Sequence, residues 1–442
     1  MMLGGSGSLF PEPEIILQCF MAVLTCAWFV GLAGQTPPGR GLRGVPRGAW
    51  IIAALLVALP LGQLLPLPPA IWHSLPGRSM EAAALDLVGQ RQSWRPLSLT
   101  PNRTLASLLV MAAAAASLVM CAAQDRKGRT ILLSAVVGVA LISILVGAAQ
   151  LSGGAGNGFR FYYPDEAFLD GFQTNHNAQA DVLLIALVAL AAIAADWAES
   201  REQPVAGGQL LAMVGGISAL LVLGVVLTAS RTGIALLLIA FSAQLLILRR
   251  WLGPSRRLAP GIAVAALATI GLAAAGLRHN TVLIQSLARF KTPTEVRPEI
   301  WHDAVFAMQL YWPWGAGMGS FVPVFAAVER LEVVTSHFVN RAHNDYLELL
   351  IEAGLPGVLV LGLIGHQLIT GARQSLRLRA AASRPQIICG AANLLILALH
   401  SLIDYPLRTM SLASIAALHA ALLLPGPGRP SPEILPEFAK EP

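Results

Sequence analysis

Apolar runs long enough to cross a bilayer recur along almost the whole chain. They fall at 15–34, 49–66, 104–123, 130–151, 177–195, 209–229, 233–248 and 258–277, then from about 357 to 371, at 386–403 and at 408–424. Each approaches the ~20 residues that cover a hydrocarbon core of ~30 Å. Only 12% of the 442 residues are charged, against about 25% in soluble domains. Such a chain cannot coat a water-facing surface with charge. The expected fold is an all-α polytopic membrane protein with about 11–12 transmembrane helices and a long, partly helical outer loop.

Short loops set the orientation. Segments 35–48, 124–129, 249–257 and 372–385 hold 3, 3, 4 and 4 Lys/Arg, whereas 152–176, 230–232 and 404–408 hold one each. Cytoplasmic loops carry the basic excess. The outer set is therefore 67–103, 152–176 and 278–345. The expected organisation is eight spans within 1–277, a large periplasmic loop at 278–345, an interfacial helix and three spans within 346–424, and a cytoplasmic tail at 425–442. That is eleven spans with the N-terminus outside; a twelfth, N-terminal span is the alternative. The N-terminus lacks a basic region before its first apolar run, so no cleavable signal peptide is expected.

The net charge of +6 does not indicate nucleic acid, because arginines cluster in short loops between apolar runs. Cys19, Cys26, Cys121 and Cys389 all lie in apolar runs without a Cys-x-x-Cys spacing. Disulfide and zinc readings are weak.

From Tyr346 to Gly371 is 26 residues, ~39 Å as one helix, which exceeds the core. Gly354-Leu355-Pro356-Gly357 can break it. Before the break, Leu347, Leu350 and Ile351 share one face and Asp345, Glu348 and Glu352 another. A short amphipathic helix over 345–353 in the outer interface is expected, with a solvated acidic face and a span that starts near Gly357. In the outer loop, Ile300, Ala304, Met308 and Tyr311 predict an amphipathic helix over 299–312. The alternating glycines of Trp312-Pro313-Trp314-Gly315-Ala316-Gly317-Met318-Gly319 either bring amides to a phosphate or make a tight, closely packed turn.

Several of these stretches together resemble the signature of the O-antigen ligase and polymerase superfamily. The matching pieces, in order, are Ser230-Arg231-Thr232-Gly233, Arg297 with Trp301, Trp312-Pro313 through Gly317 and Phe321, and His343-Asn344 followed by Gly354-x-x-Gly357. Phe172 to Ala178, with Asn175-His176-Asn177, is similar to the family's Asn-rich loop before a span. All lie on the outer side by the charge argument.

The resemblance implies glycosyl transfer from an undecaprenyl-diphosphate-linked glycan to an acceptor hydroxyl, on the periplasmic face of a bacterial inner membrane. The acceptor hydroxyl belongs to a lipid A core sugar, a protein or another carrier-linked glycan. His343 is the candidate general base, since an unperturbed imidazole titrates near neutrality. Arg231 and Arg297 are candidates for the diphosphate, because a guanidinium fork binds phosphate oxygens bidentately and stays charged. Asn344, Arg341, Asn175, Gly317 and Tyr346 are candidate substrate contacts. No Asp-x-Asp occurs, so neither a metal nor another cofactor is called for. Each assignment has a structural competitor: interface anchoring for Arg231, pairing with Glu295 or Glu299 for Arg297, and helix capping for His343, Asn344 and Asn175. A transporter is the rival class, and paired broken helices in matching halves would mark it. A structural scaffold would not need the ordered outer Arg/His set.

Overall fold

The computed structural model describes residues 12–33, 42, 44–152, 168–203, 205–251, 297–334, 338–378 and 384–427. The eighth apolar run, 258–277, lies outside the described residues.

Helix α1 covers Glu12–Ala33 and α2 Arg47–Leu64. The loop that follows folds into two short helices, α3 (Pro69–Trp72) and α4 (Ser79–Leu87). A two-residue antiparallel pair closes it, Pro66 facing Pro96 and Leu67 facing Arg95. Then come α5 (Pro101–Ala122), α6 (Arg126–Ser152), α7 (His176–Glu199), α8 (Gly207–Leu227) and α9 (Arg231–Leu248). After the stretch outside the described residues come α10 (Arg297–Tyr311), α11 (Phe321–Ala326), α12 (Asp345–Leu378), α13 (Arg384–His400), a 3-10 turn over Pro406–Arg408, and α14 (Met410–Leu423).

Helix α7 is the axis of the bundle. Its run of alanines is buried along nearly its whole length. Small side chains let neighbouring backbones approach where no hydrophobic effect drives helices together. It packs against α6, α8, α9 and α13. On the outside of the bundle, Leu145 and Leu238 are 67% and 74% exposed, which suits a surface wetted by lipid chains. A second packed group joins α2, α5, α12 and α14.

Among the described residues, eight helices are long and apolar enough to cross a membrane. They match the first seven expected runs and the ninth. Helices α13 and α14 coincide with the tenth and eleventh runs but have 17 and 14 residues. At ~1.5 Å per residue they fall short of a ~30 Å core as single helices. Past α13 the apolar run enters a turn that carries the buried Ser401 and Asp404.

Helix α12 breaks at Gly354, whose backbone has φ 51° and ψ −141°. A Cβ there would lie 2.1 Å from the Pro313 carbonyl oxygen. The same carbonyl accepts the amide N–H of Leu355 at 2.8 Å. Only glycine allows this turn and this approach together. The break falls where it was expected.

The two ends of the bundle differ. At one end Arg126 pairs with Asp196 at 2.8 Å and with Glu199, and Gln386 donates to Asp196 at 2.6 Å. At the other end lie the first turns of α7, α9 and α12 and the last turn of α13, which together with the loops build the site.

Candidate functional site

The segment Arg341–Glu352 is held by a buried ion cluster. Glu348 and Glu352 are both fully buried. Glu348 accepts from Arg341 Nη1 at 2.8 Å and from the Ala342 N–H at 3.1 Å, and lies 3.4 Å from Arg408 Nη1. Glu352 pairs with Arg408 and accepts the Phe321 N–H at 3.2 Å. Asp345 accepts from Ser401 Oγ at 2.9 Å, from the Leu407 N–H at 3.2 Å and from Arg408 Nε at 3.3 Å. Burial alone would lower the pKa of Arg408, but Glu348, Glu352 and Asp345 outweigh it and hold the guanidinium above its ordinary value. Arg341 is likewise raised, the pull of Glu348 outweighing burial and the repulsion of Arg408. Buried charges persist only when paired and hydrogen-bonded.

This corrects the expectation of a solvated acidic face on 345–353. The acids turn inward because Arg408, more than fifty residues away, supplies their counter-charge. Helical periodicity carries no information about such a partner.

The glycine loop belongs to the same frame. The Gly317 N–H donates to the Glu352 carbonyl at 2.8 Å and the Ala316 N–H to Ile351 at 2.9 Å. The Met318 N–H donates to Gln63 Oε1 at 2.8 Å. A Cβ on Gly317 would meet the Ser98 side chain at 2.4 Å. These three amides are spent inside the protein, which fits the close-packing reading of the loop. Tyr346 also turns inward, its hydroxyl donating to the Ala398 carbonyl at 2.9 Å.

On this frame sits His343. Its φ is +50°, a region non-glycine residues seldom occupy and one that gathers at functional sites. The amides on both sides are pinned, Ala342 N–H by Glu348 and Asp345 N–H by the Ser401 carbonyl at 2.9 Å. Asn344 caps α12, its Oδ1 accepting the Leu347 N–H at 3.0 Å. The His343 ring is partly exposed, with Nδ1 3.2 Å from Asp404 Oδ1 and an edge contact to Tyr405 at 5.1 Å between centroids.

Asp404 is the hub of the site. It also accepts from Asn177 Nδ2 at 2.6 Å and from the Tyr405 N–H at 3.1 Å. Burial would raise its pKa, but the hydrogen bond from His343 and the charges of His343, His400 and Arg297 outweigh it and hold the carboxyl at about 2. Tyr405 is pushed up, first by burial and then by Asp404.

The remaining candidates take up different positions. Arg297 opens α10, and its charge is felt at Asp404. Arg231 is exposed at the start of α9, where Ser230 caps the helix by accepting the Gly233 N–H at 3.1 Å. A Cβ on Gly233 would lie 2.7 Å from Ala180 Cβ, so glycine lets α9 close onto α7 at the site end. Asn175 caps α7 through Asn177 N–H and borders a hollow shared with Asp404 and Tyr405. Glu295, one expected partner of Arg297, lies outside the described residues. Among the described residues, no group of three or more His, Cys, Asp or Glu is placed to hold a metal ion.

Asp404, Arg408 and Asn177 went unassigned in the sequence, as did a buried pair, Asp181 and His400, whose Oδ1 and Nδ1 lie 2.6 Å apart. A signal existed: Asp181 and His400 interrupt apolar runs, and Asp404 and Arg408 lie in the short polar gap between two of them. Ionisable groups in such places suggest function by default.

Residues 216–362 match a family model described as O-antigen ligase. The match spans Arg231, Arg297, the glycine loop and His343, and ends before Asp404. No curated protein sequence matches the chain.

Proposed function

We propose that this multi-pass membrane protein, a member of the O-antigen ligase and polymerase superfamily by the match over residues 216–362, transfers a glycan from an undecaprenyl-diphosphate carrier to an acceptor hydroxyl at the periplasmic face. The observation that carries the reading is the His343–Asp404 pair at 3.2 Å, with the imidazole partly exposed and the carboxylate buried.

A carboxylate on Nδ1 selects one tautomer and leaves Nε2 to accept a proton. The acceptor oxygen attacks the anomeric carbon as Nε2 takes its proton. The bond from that carbon to the phosphate oxygen breaks, and the lipid diphosphate leaves with the electron pair. Single displacement with one base inverts the anomeric centre. Asp404 stays ionised and stabilises the imidazolium as it forms. Arg297 and Arg231 meet the negative charge that develops on the leaving diphosphate, as fixed cations should. Arg341 and Arg408 are engaged by the buried acids and support the frame.

The same chemistry serves a ligase and a polymerase. They differ in whether the acceptor hydroxyl sits on a lipid A core or protein, or on a second carrier-linked glycan. The test is release of undecaprenyl diphosphate in proteoliposomes supplied with carrier-linked glycan extracted from source membranes. His343→Ala should abolish release while the protein still inserts. Undiminished release by that variant refutes the reading.

A further inference from the structure

Between α2 and α5 the chain folds into a closed unit at the site end of the bundle. Its two ends are joined by the pairing of Pro66 with Pro96 and Leu67 with Arg95. Trp72, fully buried, donates from Nε1 to the Ser93 carbonyl at 3.0 Å. The unit is fixed to the frame of the site. Gln63, in the last turn of α2, donates to the Glu352 carbonyl at 2.9 Å, and the Leu99 N–H donates to the Ala316 carbonyl at 2.9 Å. Gly77 lies so close to Tyr311 of α10 that a Cβ would come within 2.4 Å of the ring.

One face of α4 is left uncovered. Met80, Ala83, Ala84 and Leu87, with Val88 at the cap, recur at i, i+3, i+4, i+7 and i+8, which is one stripe of a helix. All five are exposed, Met80, Leu87 and Val88 by 73%, 89% and 65%. The stripe holds no charge. Glu81 pairs with the buried Arg78 at 2.6 Å, and Asp86 faces Arg91 at 3.6 Å. A helix that faces water turns its polar residues outward. Here the acids are answered to the sides and the apolar residues point away from the protein.

Two observations identify what covers the stripe. First, exposed leucines climb both spans that carry the unit: Leu61 and Leu65 at the end of α2, and Leu105 and Leu109 at the start of α5. The unit is thus tethered at both ends where lipid-facing surface stops. Second, α10 leads into Trp312 and Trp314, both exposed. Pro313 between them accepts the N–H of Leu355, the first residue past the break in α12, at 2.8 Å. Indoles where a span begins mark the headgroup level. The unit packs on Tyr311, next in the chain to Trp312, and carries a further exposed indole, Trp94.

We propose that α4 lies in the plane of the membrane surface at the site end, with its stripe in the boundary between headgroups and acyl chains, and that its partner is the phospholipid leaflet. Such helices bury their apolar face ~5–10 Å into that boundary. Through the bonds of Gln63 and Leu99 the contact sets the height of the glycine loop and of Glu352, on whose helix the site is framed.

The test adds one indole at a time to the full chain in phosphatidylcholine vesicles. Leu87→Trp and Met80→Trp place it on the stripe, and Asp86→Trp places it off the stripe. The emission each variant adds over wild type is read with lipids brominated near the headgroup end of the acyl chain, and with iodide. The stripe variants should lose at least about twofold more of the added emission to brominated lipid than Asp86→Trp does, which iodide should quench instead. Iodide quenching at Leu87→Trp and Met80→Trp puts the stripe in water and overturns the proposal. Shielding from both quenchers means that another protein chain, a second copy included, covers α4, and this also overturns it. If neither stripe variant inserts, Trp94→Phe decides: it should remove emission that brominated lipid quenches, and removal of iodide-quenched emission refutes the placement.

Discussion

His343 Nδ1 and Asp404 Oδ1 lie 3.2 Å apart although 61 positions separate them in the chain. One residue sits on a strained backbone before a helix, the other in a turn between two short helices. Asp404→Asn keeps the volume but offers an amide in place of a fixed charge. The imidazole loses its orienting carboxylate and its charge stabilisation. Carrier-diphosphate release should fall about 10²–10⁴-fold, with membrane insertion unchanged by fractionation. A rate within a few-fold of wild type would remove Asp404 from the mechanism.

The low pKa of Asp404 sets a pH window. Its folded value of about 2 lies below the ~3.9 of an unfolded Asp, so this group stabilises the fold above pH ~4. That contribution, about 2–3 kcal/mol, is lost as the pH falls from ~4 toward ~2. The titration of Asp404 itself therefore adds no pH dependence between pH 5 and 8. Acid unfolding of Asp404→Asn in detergent should be flatter than wild type below pH 4.

Arg408 neutralises Glu348, Glu352 and Asp345 in the interior. Arg408→Gln strands these acids with Arg341 alone. Breaking a buried ion pair from one side costs about 3–5 kcal/mol. Arg231→Gln, at an exposed helix start, should cost less stability than Arg408→Gln and act on transfer instead. Thermal unfolding in detergent separates the two; equal losses would contradict the assignment of Arg408 to the frame.

Gly354→Ala forces a Cβ to within 2.1 Å of the Pro313 carbonyl oxygen at a φ of +51°. The cost should exceed the ~1–3 kcal/mol of a strained backbone alone. A Cβ on Gly362 would meet nothing within 4 Å, and Gly362→Ala should be neutral or stabilise by up to about 1 kcal/mol. The contrast in melting temperature is the measurement.

Much of the fold was legible in the chain. Apolar runs mark their helices because a bilayer demands internally satisfied backbone over a set length. The break at Gly354 followed from a length argument, and Ile300, Ala304 and Tyr311 are buried on α10 as their spacing required. The site was legible in part. His343 was singled out by motif as a candidate; Asp404, 3.2 Å from it, was not. Glu348 and Glu352 were misplaced, because the spacing of acids on one helix shows that they share a face but not what faces them.

The sequence by itself determined the membrane class, the helical segments and the helix break. Those depend on local composition and periodicity, which any window of the chain displays. Only the tertiary structure decided that Asp404 meets His343, that Arg408 closes over three acids, and that Asp181 and His400 lie behind them. Each of these joins positions far apart in the chain, where pairing depends on which helix ends meet at one end of the bundle. The low-dielectric interior then makes those pairings strong and their absence costly, so the chemistry rests on contacts no single segment encodes.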